Sequence, residues 1–149
     1  MKTVAVTGIE ELTTLTVPVP ACPPGTVLVR VAYCGICGSD VPRYFDGGVH
    51  AFPQVLGHEF SGTVAEVGDG VSHVGVGDRV AVALLVPCHE CDQCLAGRPS
   101  LCPRYSFIGS RQRGAMAEYV AVPAVNAVPV GDLDLKVAVA DRHRVDGGH

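Results

Sequence analysis

The stretch "TVLVRVAYCG", Thr26 to Gly35, alternates apolar residues with others along most of its length. In an extended chain successive side chains point to opposite faces, so Val27, Val29, Val31 and Tyr33 are expected on one face of a half-buried strand. The signature recurs on both sides. "TVAVTG" (Thr3–Gly8) and "TTLTVPV" (Thr13–Val19) read as an opening hairpin, and "GTVAEVG" (Gly62–Gly68), "GDRVAVAL" (Gly77–Leu84) and "AEYVAVP" (Ala117–Pro123) as further strands. The 18 glycines and 11 prolines among 149 residues punctuate them. The pattern predicts a mainly β chain, a compact β-barrel or sandwich with little helix. A helical turn is expected at "SDVPRYF", with Ser39 or Asp40 as N-cap and Pro42 in the first turn.

Composition excludes several functions. Hydrophobic residues make up 48% and charged residues 17%, which is not the balance of a disordered chain. A net charge of -4 gives no basic footprint, so neither nucleic acid nor an anionic membrane surface is an expected partner. The longest apolar run, Val80 to Val86, falls far short of the roughly 20 residues that span a bilayer. No secretory signal is legible at the start, so the expected compartment is the cytoplasm, where thiols stay reduced. Seven cysteines, an odd number, then read better as ligands than as disulfides.

Four of them lie in "PCHECDQCLAGRPSLCP", Pro87 to Pro103, with the spacing Cys88-x2-Cys91-x2-Cys94-x7-Cys102. Two residues between ligands let neighbouring thiolates point at one ion, and four thiolates close a tetrahedron around Zn²⁺. Free thiols would leave a loop this poor in apolar residues without the roughly 10–16 kcal/mol that a structural zinc supplies in small peptides. A bacterial-type iron–sulfur run spaces its last cysteine by three rather than seven. A full coordination sphere offers no position to substrate or water, so this lobe is expected to be structural. His89 inside it is expected at the surface.

"YCGICGSD" (Tyr33–Asp40) and "LGHEFSG" (Leu56–Gly62) hold the remaining chemistry. Alone, Cys34-x2-Cys37 could be a redox pair, although no βαβ pattern surrounds it, and His58 a hydrogen-bonded structural residue. Together they allow another arrangement, in which Cys37 and a glycine-bounded turn carrying His58 and Glu59 hold a Zn²⁺ and leave a position open. Asp40 could then accept the other ring N–H of His58.

With "CGICGSD", "GHEFSGTVAEVGDGV", "GDRV" and the four-cysteine lobe in this order, the sequence resembles the zinc-dependent medium-chain alcohol and polyol dehydrogenases. The resemblance implies that residues 1–141 are a GroES-like catalytic domain, incomplete here, with a partly open β-barrel, short helices and a four-cysteine zinc lobe. It implies one catalytic zinc on Cys37 and His58, with Glu59 as a direct or exchanging third ligand, and one structural zinc on Cys88, Cys91, Cys94 and Cys102. Ser39 matches the hydroxyl that passes the substrate's proton outward, and Cys22 and Cys34 match no functional position. The implied reaction oxidises a secondary alcohol, a small sugar alcohol or its phosphate, to a ketone with NAD(P) as hydride acceptor. Arg43, Arg111 and Arg113 are candidates for holding a phosphate, with a solvated surface role weighed equally for each. Full-length members suggest a homodimer or homotetramer.

The sequence also departs from that pattern. Family members continue into a Rossmann domain, yet no G-x-G-x-x-G follows a strand here, and "GVGDRV" (Gly75–Val80) lacks the third glycine. Asp141 stands about where the family has an acidic residue before a proline, but Arg142 follows it. The tail "RHRVDGGH" (142–149) does not resemble the family. The expectation is a truncated product, its reading frame shifted near Asp141, that binds zinc but has little dehydrogenase activity alone. The competing reading is a zinc-stabilised binding or scaffold module without catalysis. Downstream DNA encoding a strand followed by G-x-G-x-x-G in another frame is the outcome the frameshift requires.

Overall fold

A computed structural model describes residues 1–140 of the chain; Asp141 and the 142–149 tail lie outside the described residues. In chain order the elements are β1 (Lys2–Gly8), β2 (Glu11–Thr16), β3 (Thr26–Gly35), α1 (Asp40–Phe45), β4 (Glu59–Val67), β5 (Arg79–Val82), β6 (Leu85–Val86), α2 (Asp92–Leu95), β7 (Ser106–Phe107), β8 (Tyr119–Pro123), β9 (Ala127–Pro129) and α3 (Leu135–Ala140). Single 3₁₀ turns at Pro99–Leu101 and Ala124–Asn126 complete them.

Every strand expected from alternation is present. β1 and β2 pair as the opening hairpin, and β2 stops at Thr16, short of the prolines at 18 and 20. The central sheet has the order β8-β3-β4-β5-β9, antiparallel throughout. Among the described residues its edges, β8 and β9, do not meet, so the fold is mainly β and no closed barrel forms. β6 and β7 form a separate two-residue ladder. The hairpin is tied on by Val4 N–H to Met116 O at 2.8 Å and by reciprocal bonds between Val6 and Gln54 at 2.9 Å.

The core is built from the inward positions of the alternating strands. Val27, Val29, Phe60, Val64, Val80, Val122 and Ile108 are all buried. One expectation about β3 fails. Val27 and Val29 are buried and half-buried Val31 packs against the same core, but Tyr33 is 46% exposed. The cause is a β-bulge, because Val31 pairs with Gly62 while Tyr33 pairs with Ser61, leaving Ala32 unpaired against β4. An extra residue inverts the alternation beyond it, so Cys34, not Tyr33, packs against the core.

The pieces that sequence reading omits are short: β6, β7, β9, α2 and α3 have two to six residues each. Such lengths hold less than two helical turns or too few alternations to show a period. α3 packs across β3, β4 and β5, and the buried Ser61 hydroxyl donates to Leu135 O at 2.6 Å. Among the described residues no helix is long and apolar enough to cross a membrane.

Val29 is fully buried at the centre of the sheet. Val29→Ala removes two buried carbons and leaves a cavity, so a stability loss of about 2 kcal/mol is expected in urea denaturation. An unchanged midpoint would contradict the packing described.

Candidate metal centres

The first centre forms where β3 ends and β4 begins. The antiparallel register sets Gly35 opposite Glu59 and Cys34 opposite Phe60, so the turn after β3 meets the residues that open β4. Cys37 lies in that turn and His58 immediately before β4. Glu59 is the first residue of β4, not part of a turn as its flanking glycines suggest. One ligand atom each from Cys37, His58 and Glu59 lies within 4.8 Å of the others.

The backbone around His58 is fixed from both sides. Gly114 N–H, Ala115 N–H and Met116 N–H donate to Val55 O, Gly57 O and Leu56 O at 2.9 to 3.0 Å. Gly57 has φ +92°, and a Cβ there would meet Cys34 Sγ at 2.6 Å and Met116 N at 2.9 Å. Only glycine suits both constraints. Gly35 acts differently: a Cβ would stand 3.1 Å from Glu59 Oε2, so its absence leaves room for the carboxylate. His58 is 2% exposed and its ring packs edge-on against Phe107, with centroids 5.5 Å apart.

Around these three, hydrogen bonds converge. Ser39 Oγ lies 3.3 Å from His58 Nε2. Asp40, 3% exposed, accepts the Cys37 N–H on Oδ2 at 3.0 Å, and its Oδ1 lies 3.7 Å from His58 Nδ1. That separation is too long for the hydrogen bond expected between Asp40 and His58, although the carboxylate and the ring nitrogen face each other. Ser39 precedes α1 as expected, but its backbone is already helical and its hydroxyl makes no capping bond. The hydroxyl is turned to the site instead. Arg43 NH1 donates to both Ser39 Oγ at 3.0 Å and Asp40 Oδ1 at 3.1 Å.

Of the other arginines singled out by sequence, Arg111 is committed to Tyr105, lying 4.3 Å over its ring and donating to its carbonyl and hydroxyl oxygens. Arg113 lines a separate cavity with Met1, Val17 and Pro20. The Cys34 thiol is pushed up to about 12, by burial first and then by the negative charges of Asp40 and Glu59. A thiol held protonated in this way is a poor partner for redox exchange with Cys37. Phe107, which fixes the imidazole, carries no sequence signal.

The second centre is the lobe whose neck is closed by the β6–β7 pair. Cys91 precedes α2, Cys94 lies within it, and Cys102 follows the 3₁₀ turn that Pro99 opens. Ligand atoms of Cys88, Cys91, Cys94 and Cys102 all lie within 4.8 Å of one another. Cys88 is pushed down to about 6, chiefly by the Glu90 backbone N–H, while Cys94 is pushed up to about 12, by desolvation first and then by its bond to Cys91. Thiols this close cannot all ionise unless a cation joins them, and a set of four cysteine sulfurs gathered within that distance fits Zn²⁺. Arg104 donates to Cys88 Sγ at 3.4 Å and pairs with Glu90 at 2.8 Å. His89 is exposed, as expected.

Fold and site together define a zinc-type alcohol dehydrogenase domain. Residues 23–132 match the alcohol dehydrogenase GroES-like domain, and the chain belongs to that family. Among particular relatives, galactitol 1-phosphate 5-dehydrogenase of Escherichia coli K12 is 50% identical over 100 residues, 67% of this chain and 29% of that enzyme. The crystal structure of galactitol-1-phosphate dehydrogenase from Escherichia coli superposes with a TM-score of 0.89 at 40% identity, covering 93% of this chain and 41% of that one. A cobalt- and zinc-bound alcohol dehydrogenase from Pyrobaculum aerophilum gives 0.87 at 36% identity, covering 95% and 44%. An Escherichia coli CFT073 alcohol dehydrogenase complexed with NADH gives 0.87 at 36%, covering 93% and 41%. The chain thus spans less than half the length of each of these relatives.

Because Gly57 combines a left-handed backbone with two close neighbours, Gly57→Ala is expected to cost on the order of 3 kcal/mol in urea denaturation and to displace His58. Wild-type stability in this variant would show that the segment is not held as described.

Proposed function

We propose that the chain carries the metal-binding, catalytic part of an NAD(P)-dependent polyol or polyol-phosphate dehydrogenase, which oxidises a secondary alcohol to a ketone. The observation that carries this reading is the convergence of Cys37, His58 and Glu59 within 4.8 Å, with the Ser39 hydroxyl 3.3 Å from His58 Nε2. A thiolate, an imidazole and a carboxylate make a donor set suited to zinc with a position left open. The space beside Gly35 for the Glu59 carboxylate supports the same fit.

Zinc bound there would act as a Lewis acid lowering the pKa of an alcohol hydroxyl, and a nicotinamide would accept the hydride. The chain's own residues supply the rest. Asp40 holds the turn by accepting the Cys37 N–H and sets its other oxygen facing His58 Nδ1. Phe107 restrains the ring's tilt. Ser39 Oγ is placed to take the proton that the alcohol loses and to pass it outward, since Ser39 itself is exposed.

Cys88, Cys91, Cys94 and Cys102 hold the second, structural zinc in this reading. The domain is taken as residues 1–141, with 142–149 as a tail. No dinucleotide fingerprint lies in the sequence, so the nicotinamide site is to be supplied by further polypeptide, and little activity is expected from the 149 residues alone. Galactitol 1-phosphate or a related sugar alcohol is the proposed substrate, supported by 50% identity to an enzyme named for it. The complete enzyme is proposed to be a cytoplasmic homodimer or homotetramer.

Metal analysis of the purified chain tests the reading. Two zinc ions per chain are expected, falling to one in Cys37→Ser or His58→Gln with the lobe intact. A single zinc that survives both changes would favour a scaffold role over catalysis. Cys91→Ser should lose the other ion and unfold the lobe, seen as protease cutting between 87 and 103. Because thiols must lose protons to bind metal, zinc uptake by the lobe should release protons and weaken as pH falls. Isothermal titration in buffers of different ionisation enthalpy measures this directly.

A further inference from the structure

The sequence offers Arg43 as a phosphate holder or a solvated surface residue, yet its guanidinium is engaged inside the site. One nitrogen, NH1, donates to Ser39 Oγ at 3.0 Å and to Asp40 Oδ1 at 3.1 Å, and the side chain is 15% exposed. A guanidinium has donors only and does not deprotonate, so Ser39 Oγ must accept this bond. The hydroxyl's single proton is then left to point elsewhere. The other polar atom recorded beside Oγ is Nε2 of His58 at 3.3 Å, and His58 belongs to the three-ligand cluster.

We propose that Arg43 is a positioning residue that acts through Ser39, holding its hydroxyl oxygen as an acceptor so that the proton points into the cluster of Cys37, His58 and Glu59. The inference rests on the reading of that cluster as a metal site. Three consequences follow from the geometry. Ser39 is preset as a donor to an anionic oxygen in the open position, the state reached once the alcohol's proton has been taken and one has been passed outward. Its proton cannot be handed to Arg43, which has no lone pair to receive it, so any outward path must leave by another acceptor. And the contact to Asp40 Oδ1 ties the same guanidinium to the carboxylate that faces His58 Nδ1, so α1 and the imidazole are braced by one side chain.

The readout is the binding of an oxygen ligand, not turnover. The chain is loaded with Co²⁺, whose visible absorption separates the four-thiolate lobe from the mixed-ligand site. Acetate is titrated at fixed pH into wild type, Arg43→Gln, Ser39→Ala and the double variant. About a tenfold loss of acetate affinity is expected in each single variant, the scale of one hydrogen bond assisted by charge. The double variant should bind no more weakly than Ser39→Ala, because the route from Arg43 to the bound oxygen runs through Ser39 and not through the contact to Asp40. If Arg43→Gln costs the same factor with and without Ser39, the guanidinium acts only as a distant charge and the inference is overturned. An unchanged affinity in Arg43→Gln overturns it equally. Arg43→Met, which keeps the stem's packing, guards against a folding defect, and the lobe's cobalt absorption reports folding in every variant. A chain that binds cobalt only in the lobe overturns the metal reading of the cluster, and this inference with it.

Discussion

The antiparallel pairing of β3 with β4 is the constraint on which the site depends. It sets Gly35 opposite Glu59 and so brings Cys37 to the adjacent pair His58 and Glu59, which lie far along the chain from it. Side chains in a strand alternate with a period of two, so a one-residue slip would turn Glu59 and Phe60 to the opposite faces. Two irregularities set the final register. One lies between Leu28 and Val29, the other between Val31 and Tyr33. The second puts Cys34 against the core and Tyr33 towards solvent, and it falls just before the turn that carries Cys37. Bulges placed beside a site re-aim its side chains in this way.

The two centres divide their work along physical lines. At the lobe, four thiols crowd together and the short ladder of β6 and β7 closes the neck. Its helical pieces are a few residues long and bury little, so the energy that orders it is assigned to the metal. At the first centre the protein does the ordering. The 55–57 segment is bonded to 114–116, Phe107 packs the ring, and buried Asp40 holds the turn. A site ordered by the fold can leave a coordination position open, whereas a site that orders the fold needs all its ligands. That contrast supports reading the first as reactive and the second as a staple.

The sequence by itself determined the class of the fold and the set of candidate ligands. Alternation in Thr26–Gly35 and its repeats located every long strand, because period-two burial is written directly in residue order. The lobe was legible because its ligands are close in sequence, so spacing alone implies geometry. The three-ligand cluster was legible only as a set of candidate residues in two glycine-bounded segments. What only tertiary structure decided is how long-range pairing places them. The bulge at Ala32, Glu59 as the opening of a strand, Phe107 against His58 and Arg43 on Ser39 all depend on contacts between segments far apart in the chain. Local pattern records which way a residue faces along its own element. It does not record which element lies opposite, and the chemistry of this site is made there.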